Sequence, residues 1–193
     1  VHWYLGDRPY APVFKDYEKF DPENYKGKKE FAYAYRSAAF ARGQRPYILI
    51  IDDFKKDDRE REYIWHAALV KDLKTNLDAH KVSGDTAILT DPNNPTQHLF
   101  VKMFGYQGKG EFAIEHILPT QDVDRAKMNL TTAQMPHNLK FKCKTNAAKF
   151  RVLLYAFKDG DPLPKVSGTD DNYTISIGEQ KDLLKIDKPS GKG

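Results

Sequence analysis

Short apolar segments separated by turn residues recur along this chain, and this rhythm constrains its fold more than any other feature. EFAYAYRSAAFAR (30–42) alternates apolar and other residues, whereas YILIID (47–52) is a continuous apolar run. Alternation with a period of two is typical of a half-buried strand, and a short continuous run is typical of a strand buried on both faces. The same patterns predict further strands at 62–70, 85–90, 98–106, 111–119, 139–145, 149–158, 172–178 and 182–187.

Turn residues separate these strands, as in DPNNPT (91–96) and DGDPLP (159–164). Only two stretches, 70–80 and 121–130, have a pattern that allows a short helix. A parallel sheet needs longer crossover segments, usually helices, so the pattern opposes an α/β fold. We predict an all-β protein, an antiparallel β-sandwich with few short helices; a closed barrel is the alternative. Residues 45–70 are predicted to form a hairpin with a long charged connection.

Length and charge narrow the class of protein. A chain of 193 residues is most simply one domain, here a β-sandwich over 1–193, although two small domains also fit the length. The 31 basic and 27 acidic residues are mixed along the chain, which is not the pattern of a nucleic-acid partner. No segment is apolar over the roughly 20 residues that span a membrane. Because the first residue is Val1, we expect a processed, trimmed or excised piece of a longer protein.

The residues that bind metals and cofactors form no motif in this sequence. Cys143 is the one cysteine, and alternation in LKFKCKT places it on an apolar face, as a core residue. None of the six histidines has a second histidine two or four positions away, the spacing of common metal-ligand pairs. No phosphate-binding glycine loop is present. We therefore predict no metal and no cofactor.

The segment YIWHAALV raises the question of catalysis. His66 is the one candidate acid or base, since histidine is the residue type most often used for proton transfer near neutral pH, and it shares a strand with Trp65. A structural histidine, bonded to a neighbouring strand, is the favoured interpretation, so no residue is predicted to be catalytic. Asp52 and Asp53 are sequence neighbours on a strand and point to opposite faces, so they do not form a pair of converging carboxylates. We expect Asp52 to cap the strand or to pair with a nearby base.

Exposed aromatic residues among charges suggest a ligand class. The tyrosine-rich opening (3–20) and the segment 20–31 combine aromatic rings with lysine and arginine. Rings that stack on sugars, with cations that reach acidic groups, suit a polyanionic polysaccharide. The same composition suits packing against an adjoining domain, and the sequence leaves both interpretations open.

The stretch YAYRSAAFARGQRPYILIIDDF…REYIWHAALV resembles the C-terminal part of heparinase II/III-like polysaccharide lyases. In that family a strand with an arginine leads through a turn to a strand of tyrosine, apolar residues and aspartate, and a polar loop and a strand with tyrosine, tryptophan and histidine follow. The late segments 147–166 and 173–186 are similar to the family's closing strands, so the resemblance covers 30–186. The matching positions are Arg36, Tyr47, Asp52, Tyr63, Trp65 and His66.

The resemblance implies a β-sandwich that follows a helical toroid, in an enzyme that cleaves uronic-acid polysaccharides by β-elimination. A base removes the proton at C5 of the uronate, and the 4-linked oxygen leaves. The family's catalytic tyrosine lies in the toroid, and its catalytic and metal-binding histidines precede the matched region, so the isolated fragment is not expected to be catalytic. The expected substrate-binding residues are Trp65, Arg36 and Tyr35.

The resulting hypothesis is a secreted or periplasmic bacterial module that supports a catalytic domain and one wall of a glycan cleft. Its expected partners are a uronic-acid polysaccharide and the upstream helical and β domains of the same protein. The alternative is a stand-alone, non-catalytic carbohydrate-binding module. A purely structural adhesion or assembly sandwich is a third possibility.

Overall fold

The computed structural model describes residues 33–69, 74–75, 84–116, 137–169 and 171–187. These residues form strands, turns and connecting segments, and they contain no helix. The predicted short helix at 121–130 lies outside them, and of 70–80 only Lys74–Thr75 is described, as a strand. The strands are β1 Tyr33–Ala41, β2 Tyr47–Lys55, β3 Arg61–Leu69, β4 Lys74–Thr75, β5 Thr86–Thr90, β6 Gln97–Phe104, β7 Gly110–His116, β8 His137–Thr145, β9 Ala148–Lys158, β10 Lys165–Thr169, β11 Asn172–Ile177 and β12 Gln180–Lys185.

Three antiparallel sheets organise these strands. The central sheet has six strands in the order β1-β2-β9-β6-β5-β4, and two smaller sheets have the orders β3-β8-β7 and β10-β11-β12. Every strand pairing in the described residues is antiparallel. The predicted all-β antiparallel class is therefore confirmed.

The two small sheets pack on opposite faces of the central sheet. Leu49 and Leu153 belong to one core and their neighbours Ile50 and Val152 to the other, since successive side chains of a strand point to opposite faces. Trp65, Phe112 and other side chains of the β3-β8-β7 sheet fill one core. Tyr173, Ile175 and Ile177 of β11 fill the other. The sandwich thus has three layers, and the central strands β2, β6 and β9 are covered on both sides.

The predicted hairpin over 45–70 is wrong. β2 pairs with β1 and β9, while β3 pairs with β8 in a different sheet. Both hydrogen-bonding edges of β2 are occupied, so the chain after Lys55 crosses to the next layer through the charged loop. Asp57 anchors that loop, where it accepts hydrogen bonds from the side chains of Arg59 and Arg61.

Cys143 is a core residue, as predicted. It is 2% exposed on β8, and burial raises the pKa of its thiol to about 11. A thiolate is therefore strongly disfavoured at neutral pH, and the residue acts as a small apolar side chain.

Candidate functional site

Two charged clusters lie back to back on β2, one on each face of the central sheet. The first joins β1 to β2, where Arg36 is directly opposite Asp52 in the register. Nε of Arg36 donates to Oδ1 of Asp52 at 2.6 Å, and Nη2 donates to Oδ2 at 2.8 Å. This forked geometry is the strong form of a carboxylate–guanidinium pair. The predicted pairing of Asp52 with a nearby base is confirmed.

Burial of this pair is very uneven. The side chain of Asp52 is 0% exposed, whereas the side chain of Arg36 is 50% exposed. The pair uses Nε and Nη2 of Arg36, so Asp52 leaves Nη1 as a donor for another group. A fixed guanidinium with a remaining donor suits a carboxylate or sulfate group of a ligand.

The second cluster surrounds Arg151 on β9. Nη2 of Arg151 donates to Oδ1 of Asp53 and to Oδ1 of Asp171, both at 3.0 Å. Nη1 donates to the backbone oxygen of Asp52 at 3.1 Å. The side chain of Arg151 is 1% exposed, and Lys149 adds an ion pair to Asp171 at 2.8 Å. This cluster ties β2, β9 and the turn before β11 together, and it holds the backbone of Asp52.

A glycine makes room for the Arg151 side chain. Gly105 directly follows β6 and has a φ of 73°, in the left-handed region that glycine adopts without strain. A Cβ at this position would lie 2.7 Å from Cγ of Arg151 and 2.9 Å from Oη of Tyr173. The close approach of the β6 backbone therefore depends on glycine, and it packs the aliphatic part of Arg151 in place.

The predicted site residues do not converge. Trp65 is 4% exposed and its ring packs edge-on against Phe112, at a centroid distance of 6.3 Å. Tyr35 is 45% exposed, but it lies on the opposite face of β1 from Arg36 and stacks on Tyr33. His66 is exposed on β3, opposite Lys140. The roles of these residues in binding or catalysis stay predictions, and the core position of Trp65 does not favour stacking on a sugar.

Sequence reasoning missed the Arg151 cluster. The available signal was an arginine inside KFRVLLYAFK, because a charge within a strand buried on both faces requires partners. Those partners are 20 and 98 residues away along the chain, in Asp171 and Asp53. In the described residues, no group of three or more histidine, cysteine, aspartate or glutamate side chains could hold a metal ion.

The lowered pKa of Asp171 should make the free energy of unfolding depend on pH. Burial acts to raise its pKa, but hydrogen bonds from Lys149 and Arg151 and their positive charges outweigh burial and lower the pKa below 3.8. A carboxyl whose pKa is lower in the folded state stabilises the fold above its unfolded pKa, and this contribution is lost as the pH falls towards the folded value. We expect Asp171→Asn to lower the free energy of unfolding by about 1–3 kcal/mol at pH 7, with a smaller difference below pH about 4.

Urea unfolding of both proteins between pH 7 and pH 3 measures this difference. Asparagine is the suitable replacement, because it tolerates the positive φ of 64° at this position. Asp187→Asn is the control, since Asp187 has an 82% exposed side chain 3.5 Å from Lys185. A difference between wild type and Asp171→Asn that stays constant over the whole pH range would contradict the prediction.

Comparison with protein-family models and with the curated proteins finds no match to this chain. No helix in the described residues has the length and apolar character needed to cross a membrane.

Proposed function

We propose that this chain is the β-sandwich module of a secreted or periplasmic, heparinase II/III-like polysaccharide lyase. In this proposal it supports the catalytic domain and forms one wall of the cleft that holds a uronic-acid glycan. The residues that transfer protons in β-elimination belong to the catalytic domain, upstream in the same protein. The proposal combines the resemblance of residues 30–186 with the geometry of the Arg36 pair.

The carrying observation is a half-exposed guanidinium held by a fully buried carboxylate. Asp52 fixes the position of Arg36 through two hydrogen bonds, and Arg151 in turn holds the backbone of Asp52. A group fixed before the ligand arrives loses little conformational entropy on binding. The carboxylate of a uronate accepts charge-assisted hydrogen bonds, and Asp52 occupies Nε and Nη2, so Nη1 of Arg36 is the donor that we assign to it.

The experiment measures binding of an unsulfated alginate oligosaccharide to the 193-residue chain. Arg36→Lys retains a positive charge beside Asp52 but loses the planar fork, so we expect affinity to fall by about tenfold, as for loss of a charge-assisted hydrogen bond. Arg42→Lys is the matched control, because Arg42 is exposed just after β1. Equal effects of the two substitutions would overturn the role of Arg36.

A lyase assay tests where the chemistry resides. The chain is incubated with heparin, alginate and chondroitin while the ultraviolet absorbance of unsaturated uronate is followed. We expect no signal from this chain alone. Sustained product formation that His66→Ala abolishes would show that the chemistry lies in this module and would overturn that part of the proposal.

A stand-alone carbohydrate-binding module is the second candidate. It is favoured by the ring pair of Tyr33 and Tyr35, whose centroids are 5.8 Å apart with an angle of 17° between the planes. Such a surface pair suits stacking on a neutral sugar. Binding of neutral glycans that Tyr35→Ala removes and Arg36→Lys leaves intact would favour this candidate over the lyase module.

A further inference from the structure

The outer face of the β10-β11-β12 sheet carries polar and basic side chains and one leucine. Its nine positions form three rows across the strands, because the register aligns three residues in each row. The first row is Lys165, Ser176 and Lys181; the second is Ser167, Thr174 and Leu183; the third is Thr169, Asn172 and Lys185. We call these nine residues the lysine face.

The lysine face has positive charge at three of its four corners and no acidic side chain among its nine positions. The nearest acid of β12, Asp182, points to the other side, where it accepts a hydrogen bond from Gln180 at 2.8 Å. Asp187 lies beyond the strand, 3.5 Å from Lys185, and both side chains are at least 75% exposed. Water and salt screen such an exposed pair strongly, so it neutralises little of the charge of the face.

The outer surface of the β3-β8-β7 sheet carries charges of both signs. On the β3-β8-β7 sheet, three lysines also share one face of a strand, namely Lys140, Lys142 and Lys144. Glu62 lies opposite Lys144 and Glu111 lies opposite Lys142. Two of these three lysines therefore have an acidic side chain on the neighbouring strand, whereas the lysine face has a single sign of charge.

The spacing and chemistry of the lysine face suit an extended acidic chain. Lys165 and Lys181 are two strands apart, about 10 Å, and Lys181 and Lys185 are four residues apart on one strand, about 13 Å. Hydroxyl side chains lie between these charges. Leu183 is 83% exposed at the edge of the same face. A sugar polymer offers all three complements: anionic groups, hydroxyls and the C–H surface of a pyranose ring.

We propose that the lysine face is a second binding surface for an acidic polysaccharide, on the opposite side of the sandwich from Arg36. The choice of a uronic-acid glycan rests on the proposed function, but the surface and its test do not involve Arg36. Lysine on edge strands also discourages edge-to-edge pairing. That role alone does not account for Leu183, which is the most exposed of the large apolar side chains in the described residues.

The experiment measures binding of the 193-residue chain to heparin, alginate, dextran and duplex DNA at one salt concentration. We expect Lys165→Gln/Lys181→Gln/Lys185→Gln to weaken heparin and alginate binding by about tenfold, the sum of three exposed charge contacts. Lys140→Gln/Lys142→Gln/Lys144→Gln is the matched control, with the same change in net charge, and we expect it to remain within about threefold of wild type. Neutral dextran should not bind to this surface.

The fold and the charge are checked separately. Thermal unfolding confirms that each triple variant is folded, and Lys165→Arg/Lys181→Arg/Lys185→Arg retains the charge and should retain binding. Equal weakening in both glutamine variants would show a general charge effect and overturn the inference, as would tighter binding to DNA than to heparin. Absence of heparin and alginate binding by the wild type would also overturn it.

The outcomes also separate this inference from the proposed function. Loss of alginate binding in Arg36→Lys, with no effect of the lysine-face variant, overturns the inference and supports the proposed cleft. Loss of alginate binding in the lysine-face variant, with no effect of Arg36→Lys, supports the lysine face. That result also removes the support that Arg36 gives to the proposed function.

Discussion

Replacing Arg151 with methionine is expected to lower the free energy of unfolding by about 3–5 kcal/mol, the usual cost of removing one partner of a buried charged group. The side chain of Arg151 is 1% exposed and bonds two carboxylates, those of Asp53 and Asp171. Methionine fills a similar volume but leaves both carboxylates without their guanidinium partner. Chemical denaturation at neutral pH measures the change, with the m-value as a check on two-state unfolding.

Lys149→Met is the matched control for this substitution. Lys149 is two residues away on the same face of β9 and also pairs with Asp171, but its side chain is 33% exposed. We expect a loss below about 1 kcal/mol, because water reaches the partly exposed Lys149 site and replaces the ammonium partner at little cost. A similar loss in the two variants would contradict the special role of Arg151. Adding Asp171→Asn to Arg151→Met should recover part of the loss, since it removes one stranded charge.

Trp65→Ala is the second substitution with a large expected effect, a loss of about 3–5 kcal/mol in the free energy of unfolding. The indole lies in the core between the central sheet and the β3-β8-β7 sheet, and alanine leaves a cavity there. Trp65→Phe should cost much less. The Nε1 of Trp65 is buried without a hydrogen-bond partner in the described residues, and phenylalanine removes this unsatisfied donor.

The expected instability of Trp65→Ala changes how glycan binding is tested. Weaker binding by this variant would follow from partial unfolding and would not by itself indicate that the indole stacks on a sugar. Binding should therefore be compared with Trp65→Phe at a temperature where both variants are folded. If Trp65→Ala unfolds at the same denaturant concentration as the wild type, the core position of the indole is wrong.

Local patterns predicted most of the strands. The apolar run at 47–52 lies in β2, as predicted. The alternation in LKFKCKT correctly placed Cys143 of β8 in the hydrophobic core. The opposite orientations of Asp52 and Asp53 were also predictable. These features depend on side-chain alternation along one strand, which is a property of the backbone and needs no knowledge of distant partners.

The sheet order, the third layer and the charged clusters were not predictable in the same way. β2 and β3 follow each other along the chain, and their sequences are typical of a hairpin. In the structure, however, β2 pairs with β9 and β3 pairs with β8, so the two strands belong to different sheets. β10 was missed because KVSGT combines a glycine with polar residues, and its pairing with β11 defines it.

The sequence by itself determined that this chain forms antiparallel strands, and which side chains of most strands face inward, because both follow from local periodicity. The tertiary structure alone decided that Asp52 holds Arg36, that Arg151 joins Asp53 to Asp171, and that three lysines share one outer face. Those contacts join residues 16 to 98 positions apart, or strands whose register is set by pairing. Their formation depends on which sheets pack together, and the gain in buried apolar area that selects this packing is a property of the whole core.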